Sequence, residues 1–272
     1  MGLDRQQLEV ALRVGREYTY LPFRLHIFES VASTNQTLWE LVEQGVEPGC
    51  VVIATQQTAG RGQWGRQWIS PAGGLYLSLF VAPHIAANNN YQLTFASAWG
   101  IANQLRKCGV DVAIKWPNDL VIDKRKLGGI LTETKVNQGT ITQAVIGVGI
   151  NWTNPVPETG INLETWQASK ESRPISSLEM LAAKILLGIE SGIQSLLQEG
   201  VNILLTRYLE LLANVGDRVY VNNLAGNIVG VTPTGELHVR MDISTSVTST
   251  VPEIYLQPGI ISLGYSKNQV NF

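Results

Sequence analysis

Two short runs in this chain place cations beside groups that can hold an anion. Lys115-Trp116-Pro117-Asn118-Asp119 sets an ammonium, an aromatic ring, a rigid bend, a carboxamide and a carboxylate side by side. The residues before it are apolar and read as a strand. Lys115 then stands at a strand end, where the proline bend can turn it and Asp119 toward one pocket. The ammonium suits a phosphate; the carboxylate suits Mg²⁺ or an ordering hydrogen bond. The competing reading is a surface turn closed by an ion pair. In Arg125-Lys126-Leu127-Gly128-Gly129-Ile130-Leu131, Lys126 precedes two glycines and an apolar run. Such a lysine, fixed on a pocket floor beside the N–H groups of Gly128 and Gly129, can bridge a carboxylate and an α-phosphate as charge develops. Gly147-Val148-Gly149-Ile150-Asn151 ends another apolar run in an amide able to read a nucleobase or ribose.

Gly60-Arg61-Gly62-Gln63-Trp64-Gly65 matches G-x-G-x-x-G after a strand, which raises a dinucleotide-binding turn. That motif must open a helix, yet the chain continues Arg66-Gln67-Trp68-Ile69-Ser70-Pro71-Ala72-Gly73-Gly74, and no acidic residue follows at the required distance. What remains is a long loop. Its glycines let backbone approach an anion, Arg61 and Arg66 can donate charge-assisted bonds, and Trp64 and Trp68 can shield a ligand from water. An idle surface hairpin would expose those tryptophans to no purpose.

The elements that must position these groups can be read from periodicity. A short helix is expected over 5–14 and a strand over 25–28. Ser33-Thr34-Asn35-Gln36 reads as a capping box, with Ser33 the N-cap of a helix ended by Gly45. Strands are expected at 50–54, 75–81, 112–115, 129–134 and 144–150, and a helix over 93–108. The segments 119–122 and 128–131 read as a hairpin around Asp123-Lys124-Arg125. Residues 153–171 read as an irregular connection containing Pro155 and Pro157. Ser176, with Glu179, caps a long helix, and a second helix spans about 201–212. From Arg218 to Leu263 only short β runs remain, broken by Asn222-Asn223, Thr234-Gly235 and Pro258-Gly259. The expected fold is an α/β domain with a mixed sheet over 1–213, followed by a small all-β domain over 214–272.

Composition narrows the classes. The 272 residues are 44% hydrophobic and 15% charged, enough apolar material for a sizeable core. A net charge of -2 argues against broad phosphate neutralisation along nucleic acid. Cys50 and Cys108 form no CxxC pair, and His26, His84 and His238 lack metal-ligand spacing. No signal peptide and no unbroken apolar run of membrane-spanning length is visible. The expectation is a soluble cytoplasmic protein.

Taken in order, Ser33-Thr34-Asn35, the Gly60–Trp68 loop, Lys115-Trp116-Pro117-Asn118-Asp119, Lys126-Leu127-Gly128-Gly129-Ile130-Leu131 and Gly149-Ile150-Asn151 resemble the biotin–protein ligase family. The family's runs are S-T-N, G-R-G-R-x-G-R-x-W, K-W-P-N-D, K-L-A-G-I-L and G-I-N. Two departures stand out: Gln63 replaces the loop's second arginine, and Gly128 replaces the alanine of K-L-A-G. Gln63 brings no charge, which moves the phosphate role toward Arg61 and Arg66.

The resemblance implies a class II synthetase-like catalytic domain with an SH3-like C-terminal domain. It implies ATP and biotin as substrates with Mg²⁺, and formation of biotinyl-5′-AMP. A lysine of a biotin carboxyl carrier protein is the implied acceptor. Lys126, Arg61 and Lys115 become the catalytic candidates. Ser33, Thr34, Asn35, Gln57, Arg61, Gly62, Gln63, Ser78, Lys126 and Gly129 become the biotin pocket. Arg61, Arg66, Trp68, Lys115, Asn118 and Asn151 fall on the ATP side, with Asp119 as the metal candidate. A homodimer is compatible with the family. A DNA-binding role is not expected, because only about 30 residues precede Ser33, too few for a winged helix with its own core. The alternatives are a lipoate–protein ligase and a non-catalytic nucleotide-binding module.

Overall fold

The structure, a computed structural model, describes residues 2–16, 21–242, 252–265 and 270–271. The first half runs α1 (Arg5–Gly15), β1 (Arg24–Val31), α2 (Thr34–Glu43), β2 (Cys50–Gln57), β3 (Leu75–Val81), β4 (Ile85–Ala86) and α3 (Asn90–Lys107). Next come β5 (Ala113–Lys115), β6 (Asp119–Ile122), β7 (Arg125–Asn137), β8 (Thr140–Ile150), α4 (Leu163–Ala168), α5 (Leu178–Glu199) and α6 (Val201–Glu210). The C-terminal part is all β: β9 (Arg218–Val221), β10 (Leu224–Val231), β11 (Leu237–Met241), β12 (Glu253–Leu256), β13 (Ser262–Leu263) and β14 (Val270–Asn271). Within the expected β region, residues 243–251 lie outside the described ones.

One mixed sheet carries the first part, in the order β1-β2-β3-β8-β7-β6-β5, with β4 pairing β8. Only β1 and β2 run parallel. Strand alternation divides its side chains between two layers. In β8, Ala144, Ile146, Val148 and Ile150 enter the large core, while Val145 enters a smaller cluster with Leu38 and Val42 of α2. Gly147 and Gly149 alternate onto the α2 side, so that face of the strand is bare beyond the helix. The β9–β12 part forms a separate antiparallel sheet in the order β12-β11-β10-β9, which bears out the mixed α/β domain followed by a small β domain.

On the opposite face, α3 and α5 approach until their backbones touch. A methyl group on Gly188 would stand 2.7 Å from Ile101 Cα, and one on Gly192 would overlap Ala96 O. By composition α5 is long and apolar enough to cross a membrane, yet 72% of its apolar window is buried inside the fold. Its hydrophobicity is spent on α3 and the sheet.

Several local expectations shift. The cap of α2 is Ser33 by position, but its side chain makes no capping bond. Gln57, from the end of β2, supplies the oxygen: Thr34 N–H donates to Gln57 Oε1 at 2.8 Å. Gln57 thus serves the first N–H of the helix, and the capping-box bonds expected of Ser33 and Gln36 are not made. Gln36 turns instead to Glu40. The long helix α5 is capped by Ser177, whose hydroxyl accepts from Met180 N–H at 3.1 Å, one residue later than expected. Glu179 is drawn away to accept from Asp4 N–H. The β6–β7 hairpin turns on Asp123 and Lys124 alone, both at positive φ (49° and 61°), which matches the twist of a two-residue turn. The 153–171 connection holds a short helix, α4, capped by Asn162.

Candidate functional site

The bare glycine face of the sheet is the floor of a cavity of about 160 Å³. Gly147 and Gly149 of β8 and Gly129 of β7 all line it, and Gly129 lies directly opposite Gly149 across the two strands. Each glycine makes room for a particular neighbour. A Cβ on Gly149 would stand 2.5 Å from Trp68 Nε1, and one on Gly147 would collide with the Asn35 carboxamide. The walls come from the start of α2, the Gly60–Trp68 loop and the Lys115–Asp119 segment, with Ile261 and Leu263 from the C-terminal part.

The α2 wall is a closed polar network. Gln57 Oε1 accepts from both the N–H and the hydroxyl of Thr34, and Gln57 Nε2 donates to Ser70 Oγ at 2.8 Å. The Ser78 hydroxyl, fully buried, lies 2.6 Å from Asn35 Oδ1 and 2.8 Å from Thr34 Oγ1; its one proton serves one of them at a time. Asn35 Nδ2 donates to Glu133 Oε2 at 2.9 Å, and the same oxygen accepts from Trp39 Nε1 and Arg61 Nη2. Glu133 therefore fixes the Asn35 amide and anchors the glycine-rich loop through Arg61.

The opposite wall carries charge. Lys126 Nζ lies 2.6 Å from Asp119 Oδ1 and 5.0 Å from the centre of the Trp68 ring. Tyr265 donates its phenolic O–H to the other oxygen, Asp119 Oδ2. Lys115 is buried and donates to the Leu263 carbonyl, with its ammonium 4.1 Å from the Tyr265 ring centre. Burial pushes its pKa down to about 8; Asp119 opposes that shift, whereas Lys126 and Arg66 add to it. Two ammonium groups and two guanidinium groups thus line a cavity in which, among the described residues, Asp119 is the one carboxylate. That excess of positive charge is suited to an anion carrying more than one charge.

Most of the sequence-derived candidates meet here. Ser33, Thr34, Asn35, Gln57, Arg61, Gly62, Gln63, Arg66, Trp68, Lys115, Asn118, Asp119, Lys126 and Gly129 all line the one cavity. Two do not. Ser78 lies behind Thr34 and Asn35 and orients them. Asn151 donates to the Lys126 carbonyl at 3.2 Å and accepts from Asn154, so its amide braces the lysine's backbone. Asn118 lines the cavity and donates one amide N–H to the Ile130 carbonyl at 2.7 Å.

Both Asp119 oxygens have a partner, Lys126 on Oδ1 and Tyr265 on Oδ2, and no group of three or more His, Cys, Asp or Glu able to hold a metal occurs among the described residues. Two buried polar atoms lack a partner at the cavity, Gln63 Oε1 and Trp68 Nε1. Unpaired atoms of this kind are costly unless a ligand completes them.

Sequence reasoning missed Glu133, which stands in the polar run Thr132-Glu133-Thr134-Lys135 of β7 and so looks like an ordinary strand-surface carboxylate. It also missed Leu263 and Tyr265, for which a local pattern gave no signal.

Residues 27–151 match the model of the biotin/lipoate A/B protein ligase family. The bifunctional ligase/repressor BirA of Salmonella typhimurium is 36% identical over 183 residues, covering 66% of this chain and 57% of that protein. The biotin–[acetyl-CoA-carboxylase] ligase of Paracoccus denitrificans is 35% identical over 122 residues, 44% of this chain and 50% of that one. The chain thus spans about half the length of the curated relatives it matches. Biotin protein ligase from Aquifex aeolicus, solved in complex with biotin and ATP, superposes with a TM-score of 0.66 at 23% identity. That superposition covers 85% of this chain and 95% of that one, so the shared fold extends well beyond residues 27–151.

Proposed function

We propose that the chain is a biotin–protein ligase. It joins biotin to ATP as biotinyl-5′-AMP and then acylates a lysine of a biotin carboxyl carrier protein. The observation that carries this reading is the pairing, within one cavity, of a hydrogen-bonding wall (Thr34, Asn35, Gln57) with a cationic wall (Lys115, Lys126, Arg66). A neutral ureido head group suits the first. A carboxylate and a nucleotide phosphate, which repel each other, suit the second.

In the first half-reaction a biotin carboxylate oxygen attacks the α-phosphorus and pyrophosphate leaves. In this reading Lys126 holds the carboxylate and Lys115 takes phosphate charge, so that the two anions meet in line. Trp68 closes over the floor at Gly149 and keeps water from the mixed anhydride. In the second half-reaction the neutral amine of the acceptor lysine attacks the anhydride carbonyl and AMP leaves. Magnesium belongs with the incoming nucleotide as its phosphate complex, and no step runs through a metal held by Asp119. The free Cys50 and Cys108 agree with a reducing, cytoplasmic setting.

Biotin-dependent ATP–pyrophosphate exchange tests the reading, with lipoate as a parallel substrate. Exchange with biotin and none with lipoate is the expected result. Exchange with lipoate alone would reassign the substrate. ATP binding without exchange on either acid would leave a nucleotide-binding module and refute the ligase.

A further inference from the structure

The C-terminal β part reaches the cavity with few groups. Trp116 of the cationic wall donates its backbone N–H to Asn214 and its indole N–H to the Gly235 carbonyl, so the Lys115–Asp119 segment is pinned to that part from outside. Inside the cavity, Ile261 and Leu263 are the lining residues from that part among the described ones. Tyr265 stands just behind, and its two ends do different things: the hydroxyl bonds Asp119 and the ring faces Lys115.

We propose that Tyr265 is a positioning residue for the adenylation step, holding Asp119 so that the Lys126 ammonium stays fixed at the cavity. The inference rests on the ligase reading above. Among the described residues that line the cavity Asp119 is the only carboxylate, and it pairs with Lys126. Left free to rotate, it can carry that ammonium away from the place where it meets substrate. The Tyr265 hydroxyl occupies Oδ2, leaving Oδ1 to orient Lys126 at 2.6 Å. The ring meanwhile covers the Lys115 ammonium without supplying a counter-charge, since an aromatic face attracts a cation but carries no net charge. A phenylalanine keeps this second contact and loses the first, which separates orientation of Asp119 from simple docking of the C-terminal part. Burial and the Asp119 charge both raise the phenol pKa, so Tyr265 stays a neutral donor.

The test compares wild type, Tyr265→Phe and Tyr265→Leu in biotin-dependent pyrophosphate exchange, with thermal unfolding as a check on the fold. Tyr265→Phe is expected to lower kcat about tenfold, the loss of one hydrogen bond to a charged group, with KM for biotin and ATP within twofold. Tyr265→Leu is expected to lower kcat further and raise KM for ATP, because Lys115 loses its cover. In an Asp119→Asn background, Tyr265→Phe should cost nothing more, since the two residues act as one unit. A Tyr265→Phe protein with wild-type kcat, or losses that multiply in the double variant, would overturn the inference while the ligase reading stands. A wild type silent in exchange overturns the ligase reading, and the inference falls with it.

Discussion

Replacing Gly147 by alanine probes the biotin wall without touching a proposed contact group. The glycine has no positive φ, so alanine fits the backbone, and in a strand the added methyl alone is neutral or mildly stabilising. The obstacle is Asn35. A Cβ at Gly147 would stand 2.9 Å from Asn35 Cγ, 3.1 Å from Nδ2 and closer still to Oδ1. The carboxamide cannot yield freely, because Ser78 holds Oδ1 and Glu133 holds Nδ2. Moving it breaks a neutral hydrogen bond and one to a carboxylate, worth together about 2–4 kcal/mol. Taking about 2 kcal/mol as the part that reaches ligand binding, biotin affinity should fall roughly thirtyfold. Titration calorimetry with biotin measures this directly, and thermal unfolding reports how much is lost in the free protein. Asn35→Ala should weaken biotin to a similar degree, and the double variant should be no worse than either single one. Biotin affinity within twofold of wild type in a folded Gly147→Ala protein would refute the assignment of Asn35 and the glycine floor to the biotin pocket.

Other perturbations test the cationic wall and the fold. Lys126→Ala should lower biotin-dependent pyrophosphate exchange by about 10²–10³, the usual cost of removing one preorganised charge stabiliser; exchange at the wild-type rate would show that Lys126 has no such role. The proposed reaction uses Lys115 as an ammonium, and burial lowers its pKa to about 8, so kcat/KM for exchange should fall as pH rises through about 8, well below the usual lysine range. Lys115→Arg stays charged and should remove that alkaline limb; a limb unchanged in this variant assigns it to another group. Gly192→Ala gains about 1 kcal/mol of helix propensity but drives a methyl into the Ala96 carbonyl, so a net loss of about 1–3 kcal/mol is expected in denaturant unfolding. A variant as stable as wild type would mean that α3 and α5 are free to separate.

The elements that carry strong local patterns were legible from the chain. The strand at Leu75–Val81, the helix over Asn90–Lys107 and the long helix from Leu178 follow their apolar periods. So does the change to short strands after Gly216. Ends were less legible. Ser33 and Ser176 both look like caps, yet Gln57 caps α2 from another strand and Ser177 caps α5. Side-chain hydrogen bonds are short-ranged in space and indifferent to sequence distance, so a remote acceptor can outcompete a local one.

The sequence by itself determined which groups could do chemistry. Lysines before a proline bend and before paired glycines, an arginine- and tryptophan-bearing glycine loop, and small residues at alternate positions of a strand are local facts. Alternation alone places Gly147 and Gly149 on one face. Tertiary structure decided what those groups are free to do. The Asn151 and Asn118 amides each donate to a backbone carbonyl, that of Lys126 and that of Ile130. The Asp119 carboxylate has Lys126 on one oxygen and Tyr265 on the other. Lys115 looks like an ordinary surface lysine until the C-terminal part buries it. A residue's type fixes its valence for hydrogen bonds and charge. Only the packing of distant segments fixes how much of that valence is left over for a ligand, because desolvation and pairing are properties of the neighbourhood that folding assembles.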